Sequence, residues 1–167
     1  MTERAPLSPD ALDLGQLAFF FGQSLNEEVL RRLHAAGFGG VRISHGYLVQ
    51  HVVEAERSVT ELAERMGVTQ QAASKVVAEL TELGYLEQAP SADARVRSVR
   101  LSARGRSMLE RTRRIRRALE RTLLRGAAPA EVKRTKALLV TALERLGGTD
   151  AIRARRVRQP ADERRTR

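Results

Sequence analysis

Cysteine is absent from the 167-residue chain. Its absence excludes disulfide bonds, metal sites built on thiolates and the sensing of oxidants through a cysteine. Tryptophan is also absent, and aromatic residues make up only 4% of the chain. Because strands favour aromatic and β-branched side chains, this scarcity favours a helical protein rich in Ala, Leu and Val over a β-sandwich.

Long apolar runs are missing as well. No segment approaches the ~20 apolar residues that a membrane span requires. The first ten residues, MTERAPLSPD, lack the apolar core of a signal peptide. We therefore expect a cytoplasmic protein with no membrane partner.

Acidic residues are fewer than basic ones, and the formal net charge is +10. The excess is concentrated in residues 85–125, which contain twelve Arg against four acids, whereas residues 1–84 are mildly acidic. Such a balance favours a polyanionic partner, and nucleic acid is the commonest polyanion available to a soluble protein.

The segment from Ser58 to Gly84 predicts a helix-turn-helix. Ser58 and Glu61 have the S-x-x-E spacing of a capping box, which predicts a helix beginning at Val59. Gly67 is placed to end that helix in the left-handed conformation. Thr69 can then cap a second helix that extends to Leu83.

The second helix has two different faces. Its apolar residues fall within one arc at about 100° per residue, and polar residues cluster opposite them near the N-terminal end. Amides can pair with adenine, and an ammonium group can reach guanine or phosphate. An ordinary amphipathic helix explains the polar face of the helix pair equally well. The residues predicted to contact DNA are Thr69, Gln70, Gln71, Ser74 and Lys75.

A hairpin is predicted immediately after this helix. Tyr85 and Leu86 on one side, and Val99 and Leu101 on the other, bracket the polar sequence SADAR, as two strands of a hairpin would. A hairpin in this position adds a wing to the helix-turn-helix, which strengthens the DNA-binding interpretation.

Two motifs mark the end of the second helix and the hairpin that follows it. The first, L-x-x-x-G-[YLW]-[LIV], comprises Leu80, Gly84, Tyr85 and Leu86, and the second, D-x-R-x-x-x-V-x-L-[ST]-x-x-G, comprises Asp93, Arg95, Val99, Leu101, Ser102 and Gly105. With every spacing of both motifs kept, residues 41–105 resemble the MarR family of winged-helix transcription regulators.

The resemblance implies a homodimer that binds double-stranded DNA at an inverted-repeat operator. Such proteins usually act as repressors, and many release DNA when a small aromatic or phenolic effector binds. The resemblance also implies that Arg95 and Arg97 of the wing contact the minor groove or the DNA backbone. Asp93, two residues before Arg95, is expected to orient its guanidinium.

The implied fold is mainly α with a small β-wing, in which the winged helix-turn-helix domain is flanked by long dimerisation helices. An apolar repeat from Leu14 to Leu33 predicts the first of these helices. The glycine-rich residues 37–40 end it, and a further helix is predicted over residues 41–55. The predicted domain covers residues 13–148, with the winged helix-turn-helix at about 41–105 and dimerisation helices at about 13–37 and 103–146.

The two chain ends are expected to lie outside this domain. Residues 1–12 contain two prolines and are expected to be flexible. Residues 149–167 contain seven Arg and almost no apolar periodicity, which predicts a disordered basic tail.

The sequence contains few residues that could bind a metal or take part in catalysis. His45 and His51 are six residues apart, so on one helix they point about 120° away from each other and cannot chelate one metal. We expect no enzyme activity, no cofactor and no metal, because no nucleophile stands near an orienting acid. His34, His45 and Tyr47 are either partly buried structural residues or the walls of an effector pocket.

Two functions are therefore compatible with the sequence. The first is a sequence-specific transcription regulator that represses by occluding its operator. The alternative is an architectural protein that binds DNA of any sequence, since a chain with net charge +10 and a basic tail would coat any duplex at low salt.

Overall fold

The computed structural model describes residues 8–90 and 98–153. These residues form helices and one small antiparallel sheet, which confirms the predicted fold class. The predicted DNA contacts Asp93, Arg95 and Arg97 lie outside the described residues. A 3-10 helix, Pro9–Ala11, is followed by α1 (Leu14–Ala35), α2 (Ile43–Val49), β1 (Arg57–Ser58), α3 (Val59–Met66), α4 (Gln70–Glu82), β2 (Leu86–Gln88), β3 (Ser98–Leu101), α5 (Ala103–Leu123), α6 (Pro129–Arg145) and α7 (Gly148–Arg153).

The predicted helix-turn-helix is formed by α3 and α4. The Ser58 side chain accepts a hydrogen bond from the Glu61 amide, and the Glu61 carboxylate accepts one from the Ser58 amide. Gly67 ends α3 with φ of 66°, and Thr69 accepts a hydrogen bond from the Ala72 amide at the start of α4. The turn between the two helices is therefore set by local capping, as predicted.

The wing contains one more strand than the sequence indicated. Strands β2 and β3 pair in antiparallel register, with Leu86 opposite Leu101. The two residues of β1 pair with the other edge of β3, so the strand order is β1-β3-β2. A two-residue strand is too short to produce a periodic pattern, and it forms only because β3 supplies the partner.

One continuous core joins the helix-turn-helix to the flanking helices. Tyr85 lies at its centre with a fully buried ring, and its hydroxyl donates to the Gly39 carbonyl oxygen over 2.8 Å. The second half of α1 and one face of α5 complete this core. Its largest contributors are Val29, Leu33, Leu48, Leu62, Met66, Leu80, Met108, Ile115 and Leu119.

Three predicted boundaries differ from the structure. Helix α2 ends at Val49 and does not continue to residue 55. The amides of His51 and Val52 donate to carbonyls three residues earlier, a tighter turn that ends the helix and brings Val52 into the core. Residues 9–11 of the predicted flexible N-terminus form a 3-10 helix, and residues 148–153 form α7 where the basic tail was expected to begin. The remainder of each predicted end, residues 1–7 and 154–167, lies outside the description.

The first half of α1 and most of α6 present apolar side chains to solvent. Phe19 is 65% exposed, Leu138 is 58% exposed and Leu146 is 84% exposed. Within the part of the chain that is described, the main contact of α6 is with α7. None of the described helices is both long enough and apolar enough to cross a membrane. The two surfaces therefore lack a covering partner within the described chain.

We predict that Gly105→Ala destabilises the protein by about 1–3 kcal/mol, the usual cost of overpacking. A Cβ at Gly105 would lie only 2.1 Å from the backbone oxygen of Tyr85. Urea unfolding measures the change. Gly46→Ala in α2 is the control, because its added Cβ meets no atom within 4 Å and should be neutral or stabilise by up to about 1 kcal/mol. Equal stability of the two variants would contradict the prediction.

Candidate nucleic-acid interface

The N-terminal half of α4 presents a polar surface to solvent. The opposite face of the helix, with Ala73, Val77 and Leu80, is buried against the core, which fixes the direction in which the polar face points. The side-chain amide of Gln70 also donates to the Thr60 hydroxyl of α3 over 3.3 Å. The five predicted contact residues of this helix are all exposed, namely Thr69, Gln70, Gln71, Ser74 and Lys75.

A buried histidine connects α2 to α4. His45 is 1% exposed, and its Nε2 lies 3.3 Å from a carboxylate oxygen of Glu79 on α4. The Arg42 amide donates to Nδ1 over 3.3 Å, so a neutral His45 carries its proton on Nε2, which lies 3.3 Å from Glu79 and 3.0 Å from the Arg42 guanidinium. The Arg42 guanidinium forms an ion pair with the same carboxylate. We call Arg42, His45 and Glu79 the α2–α4 link.

The charges of the link favour an ionised Glu79 beside a neutral His45. Burial lowers the pKa of His45, and this effect outweighs the opposing hydrogen bond to Glu79. The hydrogen bond from His45 lowers the pKa of Glu79, and the positive charges of Arg42 and Lys75 lower it further. The link is thus a charged contact that sets α4 against α2, one helical turn after Lys75 of the exposed face.

The arginines at the base of the wing are engaged within the protein. Arg100 pairs with Glu87 over 2.8 Å and lies 3.5 Å from Glu56. The guanidinium of Arg104 lies 5.1 Å from the centre of the Tyr85 ring, and Arg106 donates to the Leu101 carbonyl. These contacts hold the wing against α5, so the arginine density of this region is in part structural.

A cavity of about 410 Å³ lies between α1, α2 and α5. Its walls combine apolar residues such as Val29 and Met108 with guanidinium groups and amides. The polar lining residues are Asn26, Arg42, Gln50, Thr112, Arg113 and Arg116.

The residues suggested as pocket walls do not line this cavity. The His34 ring is hydrogen-bonded to the Val41 carbonyl over 2.8 Å, His45 faces α4, and Tyr47 packs against the core. The face of α2 that borders the cavity carries Arg42 and Gly46. Helical spacing alone does not say which neighbour each face of a helix meets, so the sequence did not indicate which residues line this cavity.

A metal centre has no support in residues 8–90 and 98–153, where no three His, Asp or Glu side chains are grouped so that they could hold an ion. His51 is buried, and its Nε2 has no hydrogen-bond partner among the described residues. Burial lowers its pKa, and the nearby charges of Arg65 and Arg57 lower it further. Neutral His51 is therefore part of the packing beneath β1.

The fold is similar to that of several solved structures. YusO from Bacillus subtilis is 20% identical, with a TM-score of 0.63 over 78% of this chain and 91% of that one. A MarR family protein from Bacillus stearothermophilus is 16% identical, with a TM-score of 0.65 over 86% and 99% of the two chains. MepR, a transcription regulator of the Staphylococcus aureus multidrug efflux pump MepA, is 16% identical, with a TM-score of 0.64 over 81% and 99%.

The sequence itself also matches a family model. The model described as MarR family matches residues 40–95, the segment that contains α2, α3, α4 and β2. No match was found among curated protein sequences. The matched segment lies within the winged-helix fold, and together they confirm the resemblance to the MarR family of winged-helix transcription regulators that was noted in the sequence.

Proposed function

We propose that this protein is a homodimeric transcription regulator that inserts the N-terminal half of α4 into the DNA major groove. The observation that carries the proposal is the exposed polar face of α4, set against a buried core and braced by the α2–α4 link. A major groove admits one helix, and amides with an ammonium group can distinguish base edges there. Thr69, Gln70, Gln71, Ser74 and Lys75 are the proposed contacts.

The wing is proposed to make the flanking contacts. Arg95 would enter the adjacent minor groove, with Asp93 orienting its guanidinium, and Arg97 would contact the same groove or the backbone. These roles rest on the family pattern in the sequence. Narrow A·T-rich minor grooves concentrate negative potential, so the wing would favour operators with A·T-rich flanks.

The exposed apolar surfaces of α1 and α6 support the proposed two-fold dimer. A monomer would keep residues such as Phe19, Phe20 and Leu138 in contact with water, which costs roughly 25 cal/mol per Å² of apolar area. Isologous pairing would cover both surfaces at once, and its symmetry would require a pseudo-palindromic operator. Repression by occluding the operator is the simplest consequence of such binding.

The rival function is sequence-tolerant binding by an architectural protein, which the net charge of +10 favours. The two functions differ in specificity ratio at physiological salt. A regulator should prefer its own site by about 10³ or more over random DNA. Selection of bound duplexes from a random pool would give both the consensus site and this ratio.

The proposal extends to release of DNA by a small anionic aromatic effector. The cavity is within the range of about 300–1,000 Å³ that is typical of ligand pockets. Arg42 lines this cavity and also pairs with Glu79 of α4. A ligand carboxylate in the cavity would attract Arg42 away from Glu79. Only the hydrogen bond between His45 and Glu79 would then remain of the α2–α4 link.

The recognition helix is tested with Lys75→Ala. We expect the variant to lose about 1–3 kcal/mol on the selected operator and to relax the preference at one position in each half-site, because one base-edge contact is removed. Titration of operator and random duplexes at physiological salt measures both effects. The control, Lys133→Ala on α6, removes the same charge from another exposed site and should leave the preference unchanged. An equal loss on all duplexes would favour the architectural function.

The dimer is tested with Leu138→Glu on α6. The wild-type protein should sediment as a dimer at micromolar concentration, and the variant should raise the dimer Kd by at least about tenfold, since an unpaired carboxylate is costly to bury. Lys133→Glu, which lies toward the opposite side of α6, should leave the dimer intact. A monomeric wild-type protein that binds a single unrepeated site would contradict the proposal.

The effector route is tested with benzoate and its neutral analogue benzamide. Benzoate should weaken operator binding at least about fivefold, the lower end of typical coupling between sites, whereas benzamide should not. Glu79→Gln removes the carboxylate that Arg42 holds, so this variant should bind the operator more weakly and respond less to benzoate. Glu82→Gln is the matched control on the same helix. An unchanged response in Glu79→Gln would contradict this route.

A further inference from the structure

An open groove of about 620 Å³ runs between the end of α1 and one side of α5. We propose that this groove binds a compact, multiply charged phosphate anion, such as a short inorganic polyphosphate or the phosphate chain of a nucleotide. The groove is separate from the α4 surface and from the cavity, and we call it the arginine groove. It is lined by Arg32, Arg111, Arg114, Arg117 and Arg121, with Ala35, Ala36, Ile115 and Ala118 between them.

The arginine groove and the cavity lie on different sides of α5. The cavity borders the side with Thr112, Arg113 and Arg116, whereas the groove borders the side with Arg114 and Ala118. Ile115 of the groove is buried and forms part of the core. The floor of the groove is therefore rigid, and its alanines leave room between the guanidinium groups.

Most of the charge in the groove is not neutralised. Arg32 pairs with Glu28 over 2.6 Å. Arg111, Arg114, Arg117 and Arg121 form no ion pair with any described carboxylate, and their side chains are exposed. Like charges three or four residues apart on a helix repel each other. An anion bound among these four arginines would relieve that repulsion.

The proposed recognition of DNA does not account for the groove. Helix α5 begins directly after β3 of the wing. At a rise of 1.5 Å per residue, Arg111 lies about 12 Å and Arg121 about 27 Å along the axis from that start. The groove therefore extends along α5 far from the end that joins the wing, which favours a ligand other than the duplex on α4.

The spacing and chemistry of the groove favour linked phosphates. Arg114, Arg117 and Arg121 follow at steps of three and four residues, which places neighbouring Cβ atoms about 5–6 Å apart. Guanidinium groups pair with phosphate oxygens through two parallel hydrogen bonds, and they remain charged at all physiological pH values. A chain of phosphates can engage successive arginines at once, whereas a monovalent anion engages one.

The test is calorimetric titration of the full-length dimer with tripolyphosphate at physiological salt, with orthophosphate as the comparison. Tripolyphosphate should bind at least about tenfold more tightly than orthophosphate. The double variant Arg114→Gln/Arg121→Gln should weaken tripolyphosphate binding at least about tenfold, while Arg134→Gln/Arg145→Gln on α6, which removes the same charge, should change it less than about twofold.

Arg117→Lys provides a second variant that keeps the charge and removes the planar fork. It should weaken tripolyphosphate binding several-fold, with an unchanged urea unfolding midpoint. ATP separates the two sources of the ligand: equal affinity for ATP and tripolyphosphate indicates recognition of the phosphate chain alone, and tighter binding of ATP indicates that the nucleoside also contributes.

Three results would overturn the proposal. The first is the absence of tripolyphosphate binding by the wild-type protein. The second is an equal loss of affinity in the groove variant and the α6 control variant, which would mean that net charge alone attracts the anion. The third is a groove variant that weakens binding of random duplexes and leaves tripolyphosphate binding unchanged, which would assign the groove to the DNA backbone.

Discussion

The close approach of α5 to the turn after α4 is the constraint on which the rest of the structure depends. Gly105 lies against the Tyr85 backbone with no room for a Cβ. The Ser102 hydroxyl donates to the Gly84 carbonyl over 2.5 Å, and the hydroxyl oxygen accepts a hydrogen bond from the Gly105 amide. These contacts join the end of α4, both paired strands of the wing and the start of α5 at one point. Because the junction is rigid, α4 and α5 keep a fixed relative orientation, and a dimer formed through the flanking helices could hold two copies of α4 at a fixed separation.

The elements that could be predicted are those whose causes are local. The capping box at Ser58, the left-handed Gly67 and the cap at Thr69 each act over three or four residues, and the structure has them where the sequence indicated. The motif residues Gly84 and Gly105 were recognised from the family pattern. The structure explains why each is glycine: Gly84 has a φ of 74°, and Gly105 lies in close contact with the Tyr85 backbone. The strand β1 and the early end of α2 were missed because each depends on a tertiary partner.

The exposed polar surface of α4 could be predicted from the sequence, whereas the lining of the cavity could not. The exposed face of α4 follows from helical periodicity, since a helix with one buried face must show the other. Arg42 and Glu79 are separated by 37 residues, and no spacing rule connects them. The cavity walls come from three helices whose relative rotation the sequence does not encode in any local pattern, so Arg42, Asn26 and Thr112 could not be assigned to one cavity from the sequence. Local signals identify the polar and apolar faces of a helix. Which neighbour each face contacts depends on the tertiary arrangement.

The basic side chains of the protein have several distinct roles, which the net charge alone does not show. Arg100, Arg104 and Arg106 form contacts that hold the wing, and Arg116 donates to Asn26 beside the cavity. Charge already committed to an internal partner contributes little to attraction of a distant polyanion, because the partner cancels or screens it. Among the described residues, the field that reaches a ligand therefore comes from the groups without an ion pair, which include Lys75 on α4 and four arginines of the groove. Since these two sets lie on different elements, an anion bound at one of them would not occupy the other.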